Sequence, residues 1–151
     1  MGSVFRILEA KFSVVEKIDH ILFIDDDAIN NHLNKMLMED LELSHKISFA
    51  LNGKEGLDLL QSCLDNEMAI PELIFLDINM PVMDGFEFIH RFLELKDKEF
   101  ERVQICMLTT SHSLEELERA NSLKRVTCFT PKPLNEDQLK ETWVKCFGQP
   151  F

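Results

Sequence analysis

Five short apolar runs alternate with five stretches of helical periodicity, and this alternation restricts the possible folds more than any other feature of the chain. The runs HILFI (20–24), KISFA (46–50), ELIFLD (72–77), VQICMLT (103–109) and VTCFT (126–130) have the length and the β-branched or aromatic content of strands. Between and after them, apolar residues recur every three to four positions: Ile29, Leu33, Met36, Leu37 and Leu41; Leu57, Leu60 and Leu64; Phe86, Ile89 and Leu93; Leu114, Leu117 and Ala120; Leu139, Trp143, Cys146 and Phe147. The order is strand, helix, five times over. Right-handed crossovers must then return each helix over a parallel sheet, which predicts a doubly wound α/β fold with the most apolar strands buried on both faces.

In open sheets of this kind a ligand site lies beyond the carboxyl ends of the strands. Polar residues of one chemical character fall there. The first run is followed by Asp25, Asp26 and Asp27, the third ends in Asp77, the fourth ends in Thr109, and the fifth is followed by Lys132. Clustered carboxylates repel one another unless a cation joins them. Their hard oxygens suit a divalent ion, best Mg2+, which keeps waters and a phosphate in its own shell. Taken singly, an aspartate at a strand end is most often a helix cap or turn residue, and a lone threonine or lysine is strand filler or a solvated charge. All of them together, at four strand ends, meet the needs of a phosphoryl site.

Composition removes other classes. A chain of 151 residues has room for one well-buried core. Its net charge of −11 argues against nucleic acid or an anionic membrane as partner. No apolar run approaches the length of a membrane span, and the first residues lack a signal-peptide h-region, so a cytoplasmic location is expected. Cys63, Cys106, Cys128 and Cys146 have no CxxC spacing and read as small core residues.

With FIDDD, LIFLDINMPVMDGFEF, MLTTS and FTPKPL in place, the chain resembles the receiver domain of two-component response regulators, as in single-domain chemotaxis regulators. The resemblance covers residues 19–148. It implies a flavodoxin-like (βα)5 three-layer sandwich around a five-stranded parallel sheet, with residues 1–18 as an N-terminal extension and no output domain. It implies Asp77 as the phospho-accepting nucleophile and Asp25 and Asp26 as the acidic pair holding Mg2+ together with Asp77. Asn79 would be a metal ligand through its backbone carbonyl, and Thr109 and Lys132 would bind the phosphoryl oxygens. The implied donor is a sensor histidine kinase or histidine phosphotransfer protein. The receptor of the signal would be a downstream protein of unknown identity. The protein would catalyse only its own phosphorylation and slow dephosphorylation.

Further expectations follow from these roles. Thr109 and Phe129 would form a switch acting on the face of the fourth helix, fifth strand and fifth helix, with packing in place of the tyrosine hydroxyl that relatives often carry there. Thr110 is bulkier than the residue many relatives have at this place, and Ser111 and Asn79 would flank the path of hydrolytic water. Asp27 and Asp84 would cap helices, Gly85 would supply backbone freedom, and Lys132-Pro133 is a candidate cis bond. Helix one, with Asn30, Asn31, Asn34 and Leu37, would border the site as a docking face. The amphipathic start, with Phe5, Ile7, Leu8, Phe12 and Val15, reads as a packing arm or tail.

Two other readings compete. A haloacid dehalogenase-type Mg2+ phosphohydrolase would use Asp25 and Asp27 as its DxD pair, but LDINMPVMDGFEF has no role in it and Glu136 and Asp137 open a helix. An unphosphorylated receiver-like scaffold would normally lack one of the acidic, threonine or lysine positions.

Overall fold

The computed structural model describes residues 16–110 and 113–151; the N-terminal residues Phe5 to Val15 discussed above and Ser111 lie outside them. The elements are β1 (Ile18–Ile24), α1 (Ala28–Leu41), β2 (Ser44–Ala50), α2 (Gly53–Asp65), β3 (Leu73–Asp77), α3 (Gly85–Leu93), a 3-10 turn (Lys98–Phe100), β4 (Gln104–Thr109), α4 (Leu114–Asn121), β5 (Cys128–Pro131) and α5 (Glu136–Phe147). The five strands form one sheet in the order β2-β1-β3-β4-β5, every neighbouring pair parallel. This is the doubly wound sandwich expected, with the three most apolar strands at its centre.

Helices cover both faces because the central strands carry apolar side chains on each. On one face Leu22, Ile24, Ile74, Leu76, Ile105 and Met107 pack under α2, α3 and α4. On the other, Ile21, Phe23, Phe75, Leu108 and Cys128 meet Met38 of α1 and Leu139 and Trp143 of α5. The Phe23 ring stacks on Phe75 at 4.9 Å and on Phe49 at 5.6 Å, joining three strands in one aromatic row. Side-chain caps fix where helices start. Asp27 accepts from the N–H groups of Ile29 and Asn30, Asn52 from Glu55, Asp84 from Glu87 and Asn135 from Gln138.

Of the apolar stripe expected on α1, Leu37 and Leu41 pack against the core but Ile29, Leu33 and Met36 do not. Ile29 is 73% exposed, Leu33 54% and Met36 50%, while Asn31, Asn34 and Met38 face inward. The cause is local. The first half of α1 lies past the end of β1, over polar backbone, and Asn31 Nδ2 donates to the Asp25 carbonyl at 2.9 Å. An apolar side chain at that place would leave the buried carbonyl without this donor. Leu93 and Leu114 are also exposed. Phe88 and Phe92 fill the space under α3 instead, and the eight-residue α4 reaches the core deeply only at Ala120.

Candidate functional site

Parallel register carries the polar strand ends to one place. Ile24 stands opposite Ala50 and Leu76, Asp77 opposite Leu108, and Thr109 opposite Pro131, so the residues after β1, β3, β4 and β5 emerge along the same edge. One oxygen from each of Asp25, Asp26 and Asp77 lies within 4.8 Å of the others. Lys132 enters this cluster, its Nζ donating to Asp25 Oδ2 at 2.6 Å and standing 3.2 Å from Asp77 Oδ1. Thr109 closes the edge as a buried residue, and its carbonyl accepts from the Lys132 backbone N–H at 2.9 Å. The Lys132-Pro133 bond is cis, as expected.

Each carboxylate has a different setting. Asp25 is buried, and its Oδ1 accepts from the Asp27 N–H at 2.9 Å. Asp26 and Asn79 face solvent at the mouth of the cluster. The Asp27 carboxylate is held as the cap of α1 and is not one of the clustered carboxylates. Asp77 is 8% exposed, and burial lifts its pKa from 3.8 to about 6; Lys132 opposes the rise and Asp25 and Asp26 add to it. Burial also acts to lower Lys132, but hydrogen bonding to Asp25 and the charges of Asp77 and Asp25 outweigh it and the ammonium is held above its ordinary pKa. Three carboxylates facing one fixed ammonium fit a hard divalent cation, and their oxygens are the donor type that Mg2+ takes.

The loop after β3 is built around close backbone approaches. The Gly85 N–H donates to the Ile78 carbonyl at 2.8 Å, and a Cβ on Gly85 would lie 2.4 Å from the Asp77 carbonyl oxygen. Gly85 is therefore needed for closeness, correcting the expectation that it supplies conformational freedom. The unusual backbone belongs to Val82, which has a φ of 67° inside a γ-turn closed by the Met83 N–H on the Pro81 carbonyl at 2.7 Å. This is the strained form of that turn, and a β-branched residue makes it more so.

Phe129 lies half-buried against the core, one strand position from Thr130 and in register with Met107 of β4. Thr110 is exposed beside the site. Two features escaped sequence reading. Asn31 braces the Asp25 peptide, a role signalled only by its placement four residues after the cap Asp27. Exposed Leu33 lines a pocket of 260 Å3 with Asn30, Asn34, Leu108, Lys132, Pro133 and Leu134, and exposed Ile29, next to Asn30 in the chain, adjoins it as an apolar rim. A roomier cleft of 580 Å3 lies at the other end of the strands, among Asp19, Glu72 and Gln104, far from this chemistry.

The raised Asp77 pKa predicts a stability effect with a defined pH window. Because the fold favours the protonated form, this group's penalty is absent below about pH 4 and grows until about pH 6, above which it is constant. Asp77→Asn is expected to stabilise the metal-free protein by about 2 kcal/mol at pH 7.5 and to have little effect at pH 4. Urea unfolding at the two pH values checks it; a gain of equal size at both would refute the assignment.

A five-stranded parallel sheet thus carries an acidic cluster, a threonine and a lysine together at its carboxyl edge. The family model for the response regulator receiver domain matches residues 21–143, and the chain belongs to that family. The probable methanogenesis regulatory protein FilR2 of Methanothrix harundinacea is 29% identical over 122 residues, covering 81% of this chain and 77% of that protein. Response regulator Rcp1 of Synechocystis is 27% identical, covering 76% and 77% respectively. Among solved structures, a two-component response regulator from Cytophaga hutchinsonii superposes with a TM-score of 0.79 at 27% identity, over 89% of this chain and all of that one. Receivers are signalling phosphoacceptors rather than enzymes with a separate substrate, they bind Mg2+ at an acidic site, and histidine kinases or phosphotransfer proteins are their partners as a family. Among the described residues no helix is long and apolar enough to cross a membrane.

Proposed function

We propose that this protein is a cytoplasmic receiver, its domain spanning residues 19–148, that accepts a phosphoryl group on Asp77 from a histidine kinase or histidine phosphotransfer protein. The observation that carries this reading is Lys132 standing between Asp25 and Asp77 inside a cluster that also includes Asp26. An aspartate carboxylate is a weak nucleophile, so attack on phosphorus depends on alignment and charge neutralisation. An Asp77 oxygen bonds to phosphorus as the P–N bond of the phosphohistidine donor breaks, and the imidazole leaves with the electron pair and takes up a proton.

Asp25, Asp26, Asp77 and the Asn79 backbone carbonyl would hold Mg2+, which would supply the positive charge that lets an anionic phosphoryl group approach three carboxylates. That Rcp1 has been solved in a Mn2+-bound form supports a divalent ion at such a site. Lys132 Nζ donates to one phosphoryl oxygen and the Thr109 hydroxyl to another. Drawing Thr109 toward the phosphoryl group frees space beside β5 for Phe129, whose movement alters the α4-β5-α5 surface read by a downstream protein. Thr110, Asn79 and Ser111 would set access of donor and water, and so the lifetime of the acyl phosphate.

The dehalogenase-type alternative fails on geometry: Asp27, the second acid of its DxD pair, is committed to capping α1. The scaffold alternative leaves the presence of every acidic, threonine and lysine position without a use.

Intact-protein mass spectrometry after incubation with Mg2+ and acetyl phosphate tests the proposal. One hydroxylamine-labile phosphoryl adduct is expected, absent in Asp77→Asn and absent with chelator. An adduct that persists in that variant, or none even with histidine donors, would overturn it. The exposed rim adds a second expectation. Ile29→Ser and Leu33→Ser should each change stability by less than about 0.5 kcal/mol. They should nevertheless slow transfer from a phosphohistidine protein by about tenfold, as for interface anchors. Transfer from acetyl phosphate should be unchanged; equal slowing of both donors would show that the rim acts on the site and not on a partner.

A further inference from the structure

The end of the sheet opposite the acidic cluster carries the cleft of 580 Å3, which the phosphoacceptor chemistry does not use. Its walls come from Asp19 in β1, the loop 67–72 ahead of β3, residues between Glu99 and Gln104 and, at the end of α5, Phe147. The loop is fixed in place: His20 Nδ1 lies 2.8 Å from the Ala69 carbonyl oxygen, and the Glu72 N–H donates to the His20 carbonyl at 2.9 Å. The cleft is therefore a formed surface. Two characters meet in its lining. Met68 is 45% exposed and Ile70 and Phe147 are half-buried, while Asp19, Glu67 and Glu99 are exposed acids. Among the described residues no lysine or arginine forms an ion pair with any of those three.

The chain itself leads into this cleft. A neighbouring hollow of 390 Å3 is lined by Glu16, Lys17, Ile18 and Trp143, and it shares Asp19, Glu72 and Phe147 with the cleft. Residues 1–15 therefore join the fold at the edge of the cleft. In their sequence Phe5, Leu8, Phe12 and Val15 recur at helical spacing with Arg6 and Lys11 between them, which combines an apolar stripe with two cations. The lining offers apolar side chains and unpaired acids, the complement of both. A segment tethered this closely acts at an effective concentration on the order of millimolar, which favours it over a free partner.

We propose that the cleft is the docking surface for the chain's own residues 4–15, which lay Phe5, Leu8, Phe12 and Val15 against Met68, Ile70 and Phe147 and bring Arg6 and Lys11 to Asp19, Glu67 and Glu99.

Burial of apolar surface on both sides drives the docking, and the ion pairs at the exposed acids set its orientation more than its strength. The docked segment ties the start of β1 to the loop before β3 and to the end of α5, on the edge away from Asp77.

A benzophenone amino acid in place of Phe12 in the full chain reads the contact directly. Irradiation and peptide mapping should join position 12 to residues 67–72, 99–104 or 147, and mixing light with isotope-labelled chains should show the link to lie within one chain. Glu67→Lys with Glu99→Lys should lower its yield about fivefold, the size set by two exposed ion pairs. Both positions are exposed, so the fold tolerates the changes. Arg6→Glu with Lys11→Glu in that same chain should restore the yield. Links to a second copy, links to another surface, no link at all, or a yield that ignores the charge reversals would each overturn the proposal. Asp77 takes no part in this readout, so the docking stands or falls apart from the phosphoacceptor reading.

Discussion

Lys132→Met is expected to lower the stability of the metal-free protein by about 3 kcal/mol at pH 7.5, the size found when one partner of a buried ion pair is removed. Lys132 is the cation within salt-bridge distance of both Asp25 and Asp77. Without it, two buried carboxylates and the neighbouring Asp26 face one another in a site where burial already disfavours the charge on Asp77. The deficit should shrink toward pH 5, because protonating Asp77 removes the repulsion at its source. Adding Mg2+ should recover part of it at pH 7.5, since a ligand that binds the folded state alone stabilises it. Combining Lys132→Met with Asp77→Asn should recover most of the loss, as expected for coupled neighbours. Urea titrations of the single and double variants, at both pH values and with and without Mg2+, are the measurement. A deficit independent of pH and Mg2+ would mean that Lys132 matters for packing and not for charge.

Gly85→Ala should be at least as damaging, at about 3 kcal/mol, at the upper end of what overpacking a core costs. The new Cβ would lie 2.4 Å from the Asp77 carbonyl oxygen and 3.1 Å from the Ile78 Cα, and backbone cannot swing aside as a side-chain end can. Either α3 moves outward, loosening Phe86, Phe88 and Ile89, or the Asp77 peptide moves and takes the acceptor carboxylate with it. The thermal midpoint and the acetyl phosphate labelling rate together distinguish these: both should fall. Wild-type values for both would show that the loop after β3 can relax and that closeness at Gly85 is not required. Gly148, where nothing lies within 4 Å of an added Cβ but φ is positive, offers a contrast, since substitution there strains conformation without a clash.

The elements of the fold were legible in the sequence because each signal is local. Five apolar runs bounded by turn residues need no tertiary context to be recognised as strands, and Asp27 and Asp84 announce helix starts by the hydrogen bonds their side chains can make to the following N–H groups. The site was legible for a related reason: residues at strand ends are brought together by any parallel sheet of this order, so Asp25, Asp26, Asp77, Thr109 and Lys132 needed only the topology.

What periodicity misjudged was the inward face of α1. Ile29, Leu33 and Met36 are spaced as a core stripe, yet the first half of α1 lies over a polar strand end, where the hydrogen bond from Asn31 to the Asp25 carbonyl outweighs hydrophobic spacing. The chain by itself determined which segments are strands, which are helices and which polar residues share the carboxyl edge, because hydrogen bonding and periodicity within a segment settle those. Tertiary structure alone decided which side of α1 is buried, why Gly85 must lack a side chain, and how one lysine is divided between two carboxylates. Each of those depends on distances between atoms far apart in sequence, and only the packed sheet sets them.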